Sequence, residues 1–301
     1  MGNYMHIIPN AADPVEYYEQ EIGSGGARIV LSVWSGKSPS AVIVFIPATM
    51  VHPIFYEKLL RGFARAGLAV VGLHPVGHGK SPRDVKRYTI SDIVQNGRDA
   101  VSYAIDRFHL PVAVMGSSQG GIVAAALGYE DVRIGAVFAH NIVMSELSET
   151  IRVTRFPVWL RFLYHPGIFI FSLIARVFPD ATLPVGFYLS VARISEDKSF
   201  WEALKRDELF LRRYSLHFLS SLFSTRFAGL TDGSVRCPVY VIIDKGDRLF
   251  TEAYMKKVFD RLAAPHKEII AFNFCDHMLM YTHPEEVCGV LAPKIINALM
   301  A

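Results

Sequence analysis

A glycine-rich turn, Gly116-Ser117-Ser118-Gln119-Gly120, is the feature that most constrains how this chain can fold. The run before it, residues 111–115, is short, apolar and partly β-branched, which predicts a buried strand. The run after it, residues 122–127, is rich in alanine and predicts a helix. The turn therefore joins the end of a buried strand directly to the start of a helix.

The pattern G-x-S-x-G between a strand and a helix predicts a nucleophilic serine. A serine on so sharp a turn has a strained backbone, and the adjoining strand and helix leave no room for side chains at Gly116 and Gly120. The turn exposes the Ser118 hydroxyl at the end of the strand, beside a helix N-terminus that favours developing negative charge. Ser117 is the alternative, but only Ser118 has a glycine two residues away on each side.

Short apolar runs alternate with amphipathic runs over most of the chain, which predicts an α/β fold with a mostly parallel sheet flanked by helices. The alternation stops near residue 142 and resumes at residue 238. Between these points the chain predicts helices rich in Phe, Leu, Trp and Arg. We therefore expect a core of residues 1–142 and 234–301 with an inserted helical cap, residues 143–233. Strands are predicted at 16–22, 27–34, 41–46, 69–73, 111–115, 134–139, 238–243 and 268–272, and helices at 53–66, from Ser91, at 251–262 and from Pro284, with a kink at Pro293.

Composition excludes several classes of protein. In 301 residues, 51% are hydrophobic and 20% charged, which indicates a globular chain, and the net charge of +3 without a Lys/Arg block argues against a nucleic-acid partner. The three cysteines show no C-x-x-C spacing and predict free thiols in a reducing compartment, although Cys275 lies close enough to His277 to be reactive. We find no signal peptide and no uninterrupted apolar run of about 18 residues. These features predict a cytoplasmic protein without a membrane span.

A nucleophilic serine needs a base, and the base needs an orienting acid. His277 lies in the loop after the last predicted strand, from which its side chain can reach back over the strand ends. Asp247 lies in the loop after strand 238–243 and is the preferred acid. Asp244, nearer the strand end, and Asp276, next to the histidine, are the alternatives.

At these residues the chain resembles the α/β-hydrolase fold family, in which nucleophile, acid and base occur in the order of Ser118, Asp247 and His277. Its segment Gly77-His78-Gly79-Lys80-Ser81 is similar to the family's G-H-G-x-S segment, and the end from His277 to His283-Pro284-Glu285-Glu286-Val287 is similar to its histidine-then-helix ending. The resemblance covers residues 27–142 and 234–300. Within the family it is closest to the lysophospholipase and monoacylglycerol lipase (S33-like) type of serine hydrolase.

The resemblance implies acyl transfer to water, with no metal and no organic cofactor. Backbone amides of Gln119 and Thr49 would bind the oxyanion, with Met50 as the alternative to Thr49. The chain departs from the family pattern at Pro47-Ala48, where His-Gly is usual, and at His74, where Asp is usual. Neither change removes a group that the chemistry needs.

The apolar stretch 156–178 of the cap suggests what the site binds. We expect Met50, Trp159, Phe162 and Phe169 to contact the hydrophobic acyl group of a small-molecule ester or lactone. The stretch also carries or adjoins four arginines, so peripheral contact with an anionic membrane is a second expectation. The arginines are Arg152, Arg155, Arg161 and Arg176.

The sequence leaves the reaction open within this fold. A carboxylic ester hydrolase is favoured, and a lactonase (for instance on acyl-homoserine lactones), an amidase or peptidase, a thioesterase or a cofactor-free peroxidase would use the same residues. A ligand-binding receptor of the same fold is the alternative from another class. The oligomeric state is not predicted.

Overall fold

The computed structural model describes residues 5–6, 14–85 and 87–300. Nine of its strands form one sheet in the order β1-β2-β3-β5-β4-β6-β7-β10-β11. In this order, neighbouring strands from β1 to β5 are antiparallel. Neighbouring strands among β5, β4, β6, β7, β10 and β11 are parallel. The strands are β1 Met5–His6, β2 Glu16–Ser24, β3 Ala27–Ser35, β4 Ala41–Ile46, β5 Leu68–His74, β6 Val112–Ser117, β7 Ile134–His140, β8 Thr182–Pro184, β9 Arg213–Ser215, β10 Val239–Asp244 and β11 Lys267–Phe272.

Helices cover both faces of this sheet. The central strands β4, β5, β6 and β10 are buried at every position, as continuous apolar runs require. The prediction of a mostly parallel sheet flanked by helices is confirmed. The α-helices are α1 Glu57–Arg65, α2 Ile90–Phe108, α3 Gln119–Glu130, α4 Tyr164–Val177, α5 Val185–Tyr188, α6 Lys198–Arg206, α7 Leu216–Ser224, α8 Glu252–Arg261, α9 Leu279–Thr282 and α10 Pro284–Met300, and the last runs through Pro293.

The N-terminus of α2 differs from the prediction. The helix is capped by Thr89 and not by Ser91. The Thr89 hydroxyl accepts the backbone N–H of Asp92, and the Asp92 carboxylate accepts the N–H of Thr89 at 2.7 Å. This reciprocal capping box satisfies two helix-end donors, which a cap at Ser91 would leave unpaired.

Residues 143–233, called here the cap segment, carry helices α4 to α7 and also one short antiparallel pair, β8 with β9. The sequence indicated helices here and did not indicate this short pair, because three-residue strands leave no periodic signal. The division of the chain at residues 142 and 234 stays a prediction.

One helical stretch of the described chain, Val158–Val177, is long and apolar enough by length and composition to cross a membrane, and 11% of its window is buried. The sequence predicted no membrane span because no run of about 18 apolar residues is uninterrupted. In the structure a 3-10 turn, Val158–Leu163, continues directly into α4, so the apolar positions join across Arg161 and Arg176. This stretch is also where most of the large exposed apolar side chains lie.

The turn that opens α3 is held by backbone contacts without room for a side chain. Ser118 has φ 53° and ψ −112°, an uncommon conformation for a residue with a Cβ. A Cβ on Gly116 would lie 1.9 Å from the carbonyl oxygen of Gly120, and a Cβ on Gly120 would lie 2.2 Å from that of Ile46. The sheet can therefore approach the start of α3 only because both positions are glycine.

We expect Gly116→Ala to lower the free energy of unfolding by about 3 kcal/mol, because its methyl group must displace backbone. Urea unfolding monitored by circular dichroism measures the change. Gly289→Ala is the matched control: Gly289 lies on the exposed side of α10 with no atom within 4 Å of a Cβ, so alanine there should stabilise the helix by up to about 1 kcal/mol. Equal stability of the two variants would contradict the close-contact explanation.

Candidate active site

Ser118, His277 and Asp247 come together at the carboxyl ends of the parallel strands. The Ser118 hydroxyl lies 3.0 Å from His277 Nε2. His277 Nδ1 lies 2.8 Å from Asp247 Oδ2. Ser118 follows β6, Asp247 lies in the loop after β10, and His277 lies in the loop after β11, so three separate strands position the three side chains.

The Asp247 carboxylate is fully enclosed and held by backbone donors. Its Oδ1 accepts the N–H groups of Leu249 at 2.7 Å and Phe250 at 2.9 Å. Burial alone would raise the pKa of this carboxyl, but the adjacent His277 ring and the donated N–H groups hold the pKa below its usual value. Phe250 also stacks on the His277 ring, with centroids 5.3 Å apart. The carboxylate therefore stays ionised against the histidine.

The two rival carboxylates have other partners. Asp244 accepts backbone N–H groups of Gly246, Phe274 and Cys275 at 2.7–2.9 Å, and so fastens the loop after β10 to the loop that carries His277. Asp276 accepts the Ser195 hydroxyl at 2.9 Å and so ties the cap segment to the histidine loop. Neither has a hydrogen bond to His277 among the described residues.

Two buried residues at the end of β7 belong to the same cluster, although sequence reasoning did not single them out. Asn141 donates from Nδ2 to Asp247 Oδ2 at 2.9 Å, and the same amide lies 2.9 Å from His140 Nε2. Burial and the nearby His277 lower the pKa of His140 to about 3, so its ring is neutral at physiological pH. The only signal in the sequence is two polar residues at the end of an apolar strand.

His140, Asp247 and His277 offer atoms within 4.8 Å of one another that could hold a metal ion. The same atoms already serve hydrogen bonds: Asp247 Oδ2 accepts from both His277 and Asn141, and His140 Nε2 faces the Asn141 amide. The cluster therefore fits a hydrogen-bonded chain.

The loop after β4 lines the same space as Ser118 and carries one backbone amide without an acceptor among the described residues. The Met50 N–H donates to the Tyr214 hydroxyl at 2.9 Å, and the backbone of Ala48 is hydrogen-bonded to the Tyr56 hydroxyl. Among the described residues we find no acceptor for the N–H of Thr49. Gln119 begins α3, so its N–H has no acceptor within the helix. The Thr49 hydroxyl donates to the Gln119 side-chain carbonyl at 3.1 Å, which holds the two residues together.

The space over Ser118 is small and apolar. It is a cavity of about 40 Å³ bounded below by Ser118 and His277 and above by apolar side chains of the cap segment. Met50 lines it, as expected from the sequence. The roof consists of Val153, Tyr188, Leu189, Ile194, Leu222 and Phe223.

A second cavity of about 380 Å³ lies inside the cap segment, and its lining is almost entirely apolar. It shares Tyr188 and Phe223 with the space over Ser118. Their rings meet edge to face at 6.1 Å, so these two side chains form the partition between the cavities. Gly167 of α4 also lines this second cavity.

The other substrate residues expected from the sequence are not brought to Ser118. Trp159 and Phe162 are 71% and 67% exposed, and Phe169 is 66% exposed beside a separate cleft between α4 and α7. The composition of the cap segment indicated apolar helices, but it did not indicate which residues face inward.

The sequence profile of the family described as "Serine aminopeptidase, S33" matches residues 37–284. A monoacylglycerol lipase of Mycolicibacterium smegmatis is 36% identical over 109 residues, a match that covers 35% of this chain and 39% of that protein. The matched part therefore spans about two fifths of that relative.

Solved structures agree on the fold. A monoacylglycerol lipase of Paleococcus ferrophilus superposes with a TM-score of 0.70 at 18% identity, over 94% of this chain and 99% of that chain. A soluble variant of monoglyceride lipase from Saccharomyces cerevisiae, in complex with a substrate analogue, has a TM-score of 0.73 at 15% identity, over 93% and 95%. The fold is thus the α/β-hydrolase fold expected from the sequence, and the chain belongs to the serine aminopeptidase S33 family of α/β hydrolases.

Proposed function

We propose that this chain is a serine hydrolase that cleaves carboxylic esters with a hydrophobic acyl group, through Ser118, His277 and Asp247. The observation that carries the proposal is the hydrogen-bonded series from the Ser118 hydroxyl through His277 to Asp247 beneath an apolar cavity. Family membership and the similarity to a monoacylglycerol lipase support a hydrolase of the lipase and esterase type.

The chemistry follows from this geometry. His277 Nε2 takes the Ser118 proton while Oγ bonds to the ester carbonyl carbon, and Asp247 stabilises the imidazolium that forms. Return of the proton to the alkoxide expels the alcohol and leaves an acyl group on Oγ. Water, deprotonated by the same nitrogen, then attacks the acyl carbon. Transfer of that proton to Oγ breaks the acyl–oxygen bond, releases the carboxylic acid and restores Ser118.

The negative charge of each tetrahedral intermediate needs donors that are already in place. The N–H groups of Gln119 and Thr49 fit this role, because the neighbouring amides of Ala48 and Met50 are occupied by tyrosine hydroxyls. Met50 is therefore not proposed as a donor. Pro47, which has no N–H, does not need to supply one.

The second cavity supports an acyl ester as the substrate. Its apolar lining and volume of about 380 Å³ suit an acyl chain that passes the partition of Tyr188 and Phe223 from Ser118. A peptide substrate with a free amino terminus would need a carboxylate to bind its ammonium group. The residues that line the space over Ser118 include no Asp or Glu, so esters are favoured over peptides.

We also propose that the stretch 156–178 rests on a membrane surface. A row of large apolar side chains there is about half or more exposed, and arginines accompany it on the same segment. Trp159, Phe162 and Phe169, expected from the sequence to meet substrate, belong to this surface. The row consists of Phe156, Trp159, Phe162, Leu163, Phe169, Ile170, Leu173, Ile174, Val177 and Phe178, and we call it the exposed apolar face. A cytoplasmic location stays a prediction.

The hydrolase proposal predicts that a fluorophosphonate probe labels the protein stoichiometrically on Ser118, located by mass spectrometry of the modified peptide. Ser118→Ala and His277→Ala should lower ester hydrolysis by a factor on the order of 10⁴ or more while the circular dichroism spectrum is unchanged. Ser117→Ala is the matched control and should label normally. A folded protein without an adduct, or full activity in Ser118→Ala, would contradict the assignment and favour the receptor alternative.

The acyl-cavity proposal predicts a preference for longer chains. We expect a higher kcat/KM for p-nitrophenyl octanoate than for the acetate, and we expect Gly167→Phe to lower kcat/KM for the octanoate about tenfold. Gly167 lines the cavity and a Cβ there meets no atom within 4 Å, so a larger side chain fits at this position without displacing the helix. Hydrolysis of the acetate, and both activities of Gly167→Ala, should stay within about twofold. Equal effects on both esters would mean that the acyl chain lies elsewhere.

A further inference from the structure

A cleft between α4 and α7 collects positive charge and hydroxyl groups beside the exposed apolar face. It has a volume of about 770 Å³ and lies apart from the space over Ser118. Five cationic or potentially cationic side chains line it, and no carboxylate does. They are Arg87, His165, Arg176, His217 and Arg226.

Only part of this charge is neutralised within the protein. Arg87 pairs with both oxygens of Asp180, at 2.9 and 2.7 Å. For Arg176 and Arg226 we find no ion pair or hydrogen bond to a side chain among the described residues, and both are exposed. The two guanidinium groups are therefore available to an external anion.

Hydroxyl groups complete the lining. Ser220 of α7 donates to Ser172 of α4 at 3.0 Å, and Ser224 donates to the carbonyl of Ser220. The hydroxyl protons of Ser172 and Thr225, which also line the cleft, have no acceptor among the described residues. Guanidinium groups together with hydroxyls suit a phosphate, because arginine offers paired N–H donors to two phosphate oxygens.

The position of the cleft identifies the source of the phosphate. Phe169, which is 66% exposed, lines the cleft and also belongs to the exposed apolar face. An apolar side chain that enters a bilayer beside cationic groups places those groups at the depth of the lipid head groups. A phosphate bound here would therefore belong to a lipid in the same membrane surface.

We propose that the α4–α7 cleft binds the phosphate head group of an anionic phospholipid, through Arg176 and Arg226, when the exposed apolar face rests on the membrane. This proposal rests on the membrane contact proposed above. It assigns separate roles to neighbouring surfaces: the apolar face supplies attachment to any bilayer, and the cleft supplies preference for an anionic one.

The test is co-sedimentation of the full chain with vesicles of phosphatidylcholine, with and without phosphatidylglycerol. We expect Arg176→Gln/Arg226→Gln to weaken binding to the phosphatidylglycerol vesicles about thirtyfold and to leave weak binding to pure phosphatidylcholine unchanged. Arg236→Gln/Arg261→Gln removes the same charge before the amino ends of β10 and β11, whereas the cap segment follows the carboxyl end of β7. It is the matched control and should bind like the unmodified protein. Hydrolysis of p-nitrophenyl acetate in solution should be the same in all of them.

Other outcomes separate this proposal from the proposals it rests on. Trp159→Ser/Phe162→Ser should weaken binding to both kinds of vesicle, and a variant that binds both normally would contradict the membrane contact itself. Equal losses in the two arginine pairs would show attraction by net charge alone and would overturn the head-group site. Binding of free inorganic phosphate or glycerol 3-phosphate as tightly as vesicles would overturn the assignment to a lipid.

A second inference comes from the buried chain behind His277. The Asn141 amide has two N–H groups, one directed at Asp247 Oδ2 and one at His140 Nε2, both at 2.9 Å. The reverse orientation would set the amide oxygen against the carboxylate, so the hydrogen bonding fixes the side chain. Asn141 is fully buried and has φ 60°, and its backbone N–H donates to Ile242 of β10 at 3.2 Å.

The geometry points to Asn141 as a positioning residue for the proposed reaction: it holds Asp247 Oδ2 so that His277 keeps Nε2 toward Ser118. Neutral His140 contributes as the acceptor of the second N–H. Without Asn141 the Oδ2 atom keeps His277 as its partner but loses the donor that fixes its direction.

Asn141→Gly tests this role, because glycine accepts φ 60° without strain. We expect kcat to fall about tenfold, as for the loss of one hydrogen bond to a charged group, with KM within about twofold. The downfield proton resonance of His277 Nδ1 should also broaden or shift in the proton NMR spectrum. His109→Gly is the control, because it also places glycine at a positive φ, 54°, but before the amino end of β6, and it should keep both values.

Unchanged kcat and an unchanged Nδ1 resonance in Asn141→Gly would overturn the positioning role. Equal losses of kcat in Asn141→Gly and His109→Gly would indicate a general effect of glycine on the backbone. Loss of kcat with fluorophosphonate labelling still complete would leave the hydrolase proposal intact, so the two proposals fail separately.

Discussion

The arrangement depends on the contact between the start of α3 and the backbones of its neighbouring strands. Gly116, Gly120 and Gly121 meet carbonyl groups at distances that no Cβ could occupy. This contact fixes the strained conformation of Ser118, whose N–H donates to the carbonyl of His140 at 2.8 Å. A looser turn would move the hydroxyl away from His277 and the Gln119 amide away from Thr49, because one backbone segment carries both groups.

Two carboxylates, three residues apart, have different roles at the end of β10: one connects two loops, and the other orients His277. Both carboxylate oxygens of Asp244 accept backbone N–H groups from two loops. Asp247 keeps one oxygen for its own loop and directs the other at His277 and Asn141. Asp244 therefore sets the distance between the two loops, and this distance brings Asp247 within hydrogen-bond reach of His277. The loop must be stable before the histidine can be oriented.

Much of this could be predicted from the sequence because local patterns encode it. The turn at Ser118, the apolar strands and the parallel sheet follow from glycine spacing and hydrophobic runs, and the sequence also pointed to Asp247 and His277, which the structure brings to Ser118. Contacts distant in the chain could not be predicted. Whether Thr49 or Met50 offers a free amide depends on Tyr214, which lies 164 residues away. The direction of Trp159 and Phe162 depends on which face of the segment packs, and a stretch with apolar residues on every side does not indicate this.

The backbone hydrogen bonds of Met50 limit how a ligand can enter. Tyr214 accepts the Met50 N–H and donates to neutral His78, and Leu211 donates to the Met50 carbonyl at 2.9 Å. The part of the chain around β9 is thus bonded to the loop that carries Thr49. Lifting that part would free the Met50 amide and disturb its neighbour just when a carbonyl oxygen arrives. A ligand is therefore not expected to enter by displacing the chain around β9. Tyr188 and Phe223 lie on α5 and α7, directly after β8 and β9, so the same pair of strands anchors the partition over Ser118.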